Sequence, residues 1–156
     1  MHIRAVRPSD EAELVQAFGR MSEEARYLRF MGSVGEPDVE RWRKTLAAFP
    51  ESGLGIVATV PAEDGIDIVG SATYFIAGNR RSCEFAISVA FAFGGFGLAS
   101  KLMTALIDAA RRRGIRQMDG YVLAANQPML RLARRLGFSI APDPDDVAVR
   151  ICSLQL

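Results

Sequence analysis

The stretch "CEFAISVAFAFGGFGLASKL", residues 83–102, changes its period along its length. The first part is apolar and rich in aromatic and β-branched residues, which reads as a strand. The last part opens a helix expected over 97–113. There Leu98, Leu102, Met103, Leu106, Ile107 and Ala110 form one apolar stripe. Between strand and helix stand Gly94, Gly95 and Gly97. Glycine lets backbone approach another group without a Cβ in the way. A helix N-terminus adds about four unpaired N–H groups and roughly half a positive charge. Diphosphate suits such a turn; the alternative is a tight strand-to-helix turn closed by packing alone.

Known phosphate loops test the first reading. The P-loop requires Lys-Ser/Thr after its last glycine, and Leu98 follows Gly97. The dinucleotide pattern Gly-x-Gly-x-x-Gly fits Gly95 and Gly97, but Ser100 holds the third place. Its acidic residue is expected at the end of the following strand, and Asp119 falls inside that strand.

Working outward, "LGIVATV", "DIVGSATYFIAG" and "SCEFAISVAF" form a meander, with Asp64-Gly65 and "GNRR" as its turns. Upstream, "HIRAVR" alternates as a first strand. Helices are expected in "PSDEAELVQAFGRM", capped by Ser9, in "SEEARYLRFMG", capped by Ser22, and in "EPDVERWRKTLAAF", closed by Pro50. Downstream, "IRQMDGYVLA" is a strand. "NQPMLRLARRLGF" is a helix with Asn126 as cap, Pro128 in its first turn and Gly137 as its stop. "PDPDD" reads as a loop and "VAVRICSLQL" as the last strand. This order predicts an α/β domain with a mixed sheet. Arg111, Arg112 and Arg113 crowd the end of the long helix, where the dipole favours cations in solvent.

Composition narrows the chemistry. The 156 residues suggest one domain over 1–156, able to bury roughly 70% of its unfolded surface. A net charge of +1 gives no reason to expect nucleic acid or an anionic membrane as partner. No apolar run approaches the roughly 18 residues of a membrane span. The two cysteines, Cys83 and Cys152, have no metal-ligand spacing and fit a reducing cytoplasm. His2 is the only histidine, which leaves little material for Ser-His-Asp, Cys-His or His-rich metal sites.

"GGFGLA" resembles the acyl-CoA pyrophosphate loop of the GNAT family of N-acetyltransferases, Gln/Arg-x-x-Gly-x-Gly/Ala. Gly97 and Ala99 match its last two fixed positions, and Gly94 stands where Gln or Arg is usual. "CEFAISVAF" resembles that family's fourth strand and "NQPMLRLARRLGF" its final helix. With "MSEEARYLRFMG", these segments are most similar to bacterial protein lysine acetyltransferase (Pat-type) catalytic domains. The resemblance covers the whole chain. It implies a mostly antiparallel sheet of about six to seven strands flanked by helices, with the fourth strand bulged and splayed from the fifth.

It also implies acetyl-CoA as co-substrate, no metal, and a primary amine as acceptor, a protein lysine among the candidates, in a monomer or homodimer. The diphosphate is expected on Gly94, Gly95, Phe96, Gly97, Leu98, Ala99 and Ser100, through backbone N–H groups. Pantetheine is expected along Ile87, Ser88 and Val89, with Val89 N–H donating to the thioester oxygen and Asn126 reaching from the other side. Arg26, Tyr27 and Arg29 are expected to border the acceptor groove. Many members carry a tyrosine where this chain has Ala133.

With no usable histidine, the base that frees the amine is expected to be a carboxylate. Glu84 is the candidate, an acid in an otherwise apolar strand, where it needs a task or a partner. An ion pair with Arg80 or Arg81 is the alternative. A non-catalytic acyl-CoA-binding module is the second reading of the whole chain.

Overall fold

The β-branched runs that follow residue 50 pair as a meander. In the computed structural model, which describes residues 1–21, 39–63, 65–90 and 97–156, β1 (His2–Ala5), β2 (Gly53–Ala62), β3 (Gly65–Ile76) and β4 (Ser82–Val89) are successive antiparallel neighbours. β5 (Gln117–Leu123) joins β4 in parallel. β7 (Asp146–Gln155) and β6 (Ser139–Asp143) complete the sheet on the far side of β5. The order is β1-β2-β3-β4-β5-β7-β6, a mostly antiparallel sheet with one parallel pair. Among the described residues it is flanked by α1 (Glu11–Arg20), α2 (Val39–Ala47), α3 (Leu98–Arg112) and α4 (Gln127–Arg135). The expected helix over "SEEARYLRFMG" and the turn residue Asp64 lie outside the described residues.

α3 covers one face. Its stripe from Leu98 to Ala110 is buried as expected. Gly70 on β3 gives it room, since a Cβ there would meet Leu98 and Leu102. Phe85 of β4 lies on this face too, 5.3 Å from the Phe138 ring. Gly120 on β5 must be glycine, because any Cβ would enter the Phe85 ring. α4 buries Met129, Leu130, Leu132 and Ala133. Gly137, at φ 97°, stops it, with Gly137 N–H bonded to the Arg134 carbonyl and Phe138 N–H to that of Ala133.

α1 and α2 dress the other face. Phe18 meets Trp42 edge-on at 5.8 Å, and Phe49 lies 6.1 Å from Phe75.

Three local expectations are corrected. Ser9 does not cap α1: residues Pro8–Asp10 form a 3-10 turn instead. The buried Asp10 carboxylate accepts the Arg7 N–H at 2.7 Å and N–H groups from the two terminal Arg4 nitrogens, Nη1 and Nη2, each at 2.8 Å. A bidentate cation outweighs a neutral hydroxyl at that corner. "PDPDD" is not wholly loop, since Pro142 and Asp143 end β6. Proline is tolerated there because β6 is an edge strand. Arg113 is exposed like Arg111 and Arg112, as expected, and also reaches the carbonyls of Glu51, at 2.9 Å, and Gly53, at 3.5 Å. Finally, β4 carries no bulge: its register with β3 runs unbroken from Ile76↔Cys83 to Gly70↔Val89.

Candidate active site

Two strands run side by side and then part. β4 and β5 pair at Ser82↔Gln117, Cys83↔Met118 and Glu84↔Asp119. β4 continues to Val89 and β5 to Leu123 without further pairs. In an antiparallel ladder, N–H groups point alternately toward and away from the partner. Ala90 N–H bonds to the Val69 carbonyl and Ala77 N–H to that of Ser82, which fixes the phase against β3. Ala86 and Ser88 therefore spend their backbone groups on β3, while those of Ile87 and Val89 face the fork. On the far side, Ala124 N–H bonds to Ala148 and Leu156 N–H to Arg116. By the same phase argument, the backbone of Tyr121 and Leu123 faces the fork. Among the described residues the fork thus presents unpaired donors and acceptors on both walls, the Leu123 carbonyl excepted, which accepts the Asn126 N–H at 2.9 Å.

Ser88 stands differently from Ile87 and Val89. Its Oγ lies 3.4 Å from Ser71 Oγ, on the sheet face opposite α3. Asn126 heads the fork as N-cap of α4, its Oδ1 accepting the Met129 N–H at 3.4 Å. Gly97 opens α3 in the left-handed region, at φ 72°, and its carbonyl takes the Lys101 N–H. The N–H groups of Leu98, Ala99 and Ser100 precede that first helical bond and are left for another acceptor. Leu98's side chain is buried under the sheet, and those of Ala99 and Ser100 are half-buried. Gly94, Gly95, Phe96, Arg26, Tyr27 and Arg29 lie outside the described residues.

Glu84 lies at the crotch of the fork, opposite Asp119 in register and on the same face. Both line a cavity of about 250 Å³ with Phe75, Ile76, Cys83 and Tyr121. Glu84 makes no ion pair with Arg80, Arg81 or any other cation among the described residues. Glu84 is exposed at the cavity mouth, and partial desolvation there, then repulsion from Asp119, raise its carboxyl above the ordinary glutamate range. Asp119 is clamped by the Gln117 amide, whose Nε2 donates at 2.9 and 3.1 Å. Gln117 is in turn held by Gln155 at 3.3 Å. Cys83, in the same cavity, is pushed to about 12 by burial and then by Asp119, so it stays a thiol. Ala133 is fully buried in the core cluster and brings no hydroxyl.

Sequence reading named Glu84 as a candidate but did not bring Asp119, Gln117 and Phe75 beside it. The signal was the parity of "QMDGYVL", which puts Gln117, Asp119 and Tyr121 on one face. The parallel register that sets Asp119 against Glu84 was not readable from it.

The chain is similar to known proteins along its length. The family model for "Acetyltransferase (GNAT) family" matches residues 21–138. An acetyltransferase from Pseudomonas aeruginosa is 34% identical over 144 residues, which is 92% of this chain and 77% of that protein. The GNAT domain of S. lividans PAT has the same fold at a TM-score of 0.88 and 22% identity, over 99% of this chain and 89% of that one. The structure of yncA from Salmonella typhimurium, solved with acetyl-CoA, matches at a TM-score of 0.74 and 22% identity, over 100% of this chain and 92% of that one.

Proposed function

The chain belongs to the GNAT family of acetyltransferases, and on that premise we propose how its site works: Glu84 deprotonates a primary amine, a protein lysine among the acceptors, which then takes the acetyl group directly from acetyl-CoA. The observation that carries this reading is the position of Glu84. It is a carboxyl with no cation partner among the described residues, raised in pKa, at the point where β4 and β5 part.

The acceptor arrives as an ammonium ion and must lose a proton before it can attack. A carboxylate above its ordinary range is better matched to that proton at neutral pH than a solvated glutamate is. Glu84 takes the proton, directly or through one water, and the electron pair stays on nitrogen. The nitrogen then bonds to the acetyl carbon while the C–S bond breaks, its electrons leaving on sulfur. The second N–H proton neutralises the thiolate through solvent, since Ala133 offers no acid. Val89 N–H, unspent on β3, donates to the thioester oxygen as charge builds there. Ile87 and Val89 hold the pantetheine arm by backbone pairing, with Asn126 at the opposite wall. The diphosphate rests on the N–H groups of Leu98, Ala99 and Ser100, which have no acceptor among the described residues, and the sequence resemblance alone adds Gly94, Gly95, Phe96 and Gly97. The sequence resemblance alone assigns Arg26, Tyr27 and Arg29 to the acceptor side. Cys83 supports direct transfer, because a thiol titrating at about 12 is a poor nucleophile at neutral pH.

Thiol release from acetyl-CoA with a panel of amines, lysine peptides included, tests the reading. Glu84→Gln should lower turnover by about 10²-fold or more with acetyl-CoA binding unchanged. Equal turnover in the variant sinks the base assignment. Binding of acetyl-CoA by the wild type without transfer to any amine favours a sensor module instead.

A further inference from the structure

The acceptor side of the fork is built for positive charge. We infer that Asp119 is an acceptor-binding residue: with Glu84 it brackets an alkylammonium group in the cavity, so the site prefers cationic alkylamines to amines bearing a carboxylate beside the nitrogen. This rests on the transferase reading above and names the acceptor class for the same site.

Three observations converge. Glu84 and Asp119 are directly opposed across neighbouring strands, which lie about 4.8 Å apart. One ammonium, with three N–H donors, can reach both carboxylates. Neither has a cation partner among the described residues, and two carboxylates opposed in register favour a cation shared between them. Gln117 takes one site on each Asp119 oxygen and fixes its plane, leaving the other lone pairs for a ligand. Independently, Phe75 and Tyr121 are large rings left 39% and 45% exposed, and both line this cavity. Aromatic faces attract cations by their quadrupole. Carboxylates as floor and rings as walls suit an alkylammonium and repel a second carboxylate.

The proton balance is simple. The ammonium N–H bond breaks and its proton passes to Glu84. The titratable groups lining the cavity are Cys83 and Glu84 from β4, and Asp119 and Tyr121 from β5; β3 contributes Phe75 and Ile76, which do not titrate.

The test compares wild type, Asp119→Asn and Gln117→Leu with a lysine peptide and cadaverine as cationic amines and methionine as the amine beside a carboxylate. Asp119→Asn should raise KM for the cationic amines about tenfold and leave KM for acetyl-CoA unchanged. It should also shift the acid limb of kcat/KM to lower pH, because Glu84 loses the neighbour that repels its charge. Gln117→Leu, which keeps both carboxylates, should raise acceptor KM by a smaller factor and so guards against misfolding of the first variant. An active wild type whose Asp119→Asn variant keeps both acceptor KM and acid limb overturns the role of Asp119 alone. So does a wild type that prefers methionine. A wild type that transfers to neither class overturns the transferase reading beneath it.

Discussion

Glu84 holds a charge that the fold does not favour. Its folded pKa is raised by partial desolvation and by Asp119, so between the unfolded value, about 4.3, and the folded one the native state binds more protons. Stability then falls as pH rises through that window, the reverse of a salt-bridged carboxylate. Glu84→Gln removes the charge. Its melting temperature should match wild type below about pH 4 and exceed it at neutral pH, while turnover falls. Thermal unfolding at several pH values checks this, and a variant less stable than wild type at neutral pH would mean that Glu84 is paired after all. Cys83 is the opposite case, a thiol beside the site that takes no part. Cys83→Ala should keep turnover within about twofold, and iodoacetamide at neutral pH should leave the wild type active. A loss of more than tenfold in that variant would bring back a covalent route. Glu84 was legible because an acid interrupts an apolar strand. The Asp10 corner was not, since its partner Arg4 sits across a turn that local preference assigned to Ser9.

Elements position these residues through glycines that act differently. Gly97, Gly114 and Gly137 have positive φ at helix ends, and the helix patterns around them made them readable. Gly120 has ordinary backbone and no local signal. Its reason is tertiary: the Phe85 ring fills the space of its side chain, so β5 can lie beside β4 only without a Cβ there. Gly120→Ala must displace Phe85 from its packing on Phe138 or push the strands apart. Overpacking of this kind costs about 2 kcal/mol. Urea unfolding should show a lower midpoint with an unchanged slope, and kcat/KM should fall as well, since Glu84 and Asp119 sit on the strands that move. A variant as stable and active as wild type would show that Phe85 yields freely. The parity of β4 was legible in sequence. That it lacks a bulge was not, because register is set by its pairing with β3.

Across the whole molecule, the sheet is two halves held edge to edge by a short ladder. β1 to β4 form one half and β5, β7 and β6 the other, joined in the sheet only at Ser82 to Glu84 among the described residues. The element order indicated a mixed sheet, and the family resemblance implied that the fourth and fifth strands splay, but the length of the join is a property of the folded sheet. Beyond Glu84 the alternation of N–H directions makes a prediction at single-residue resolution. In the free protein, amides of Ala86 and Ser88 should exchange slowly because β3 holds them, while those of Ile87 and Val89 should exchange fast. On β5, Gly120 and Val122 should be slow and Tyr121 and Leu123 fast, by the same phase against β7. Ligand at about 100 times its Kd raises global stability by about 2.7 kcal/mol and slows globally exchanging amides alike. Pantetheine in the fork should add local protection at Ile87 and Val89 above that uniform change. Hydrogen exchange with and without CoA measures both effects. If Ile87 and Val89 are already as protected as Ala86 and Ser88 without ligand, the fork is closed in solution. If CoA slows only the uniform set, it binds elsewhere, and the backbone of β4 is not what holds it.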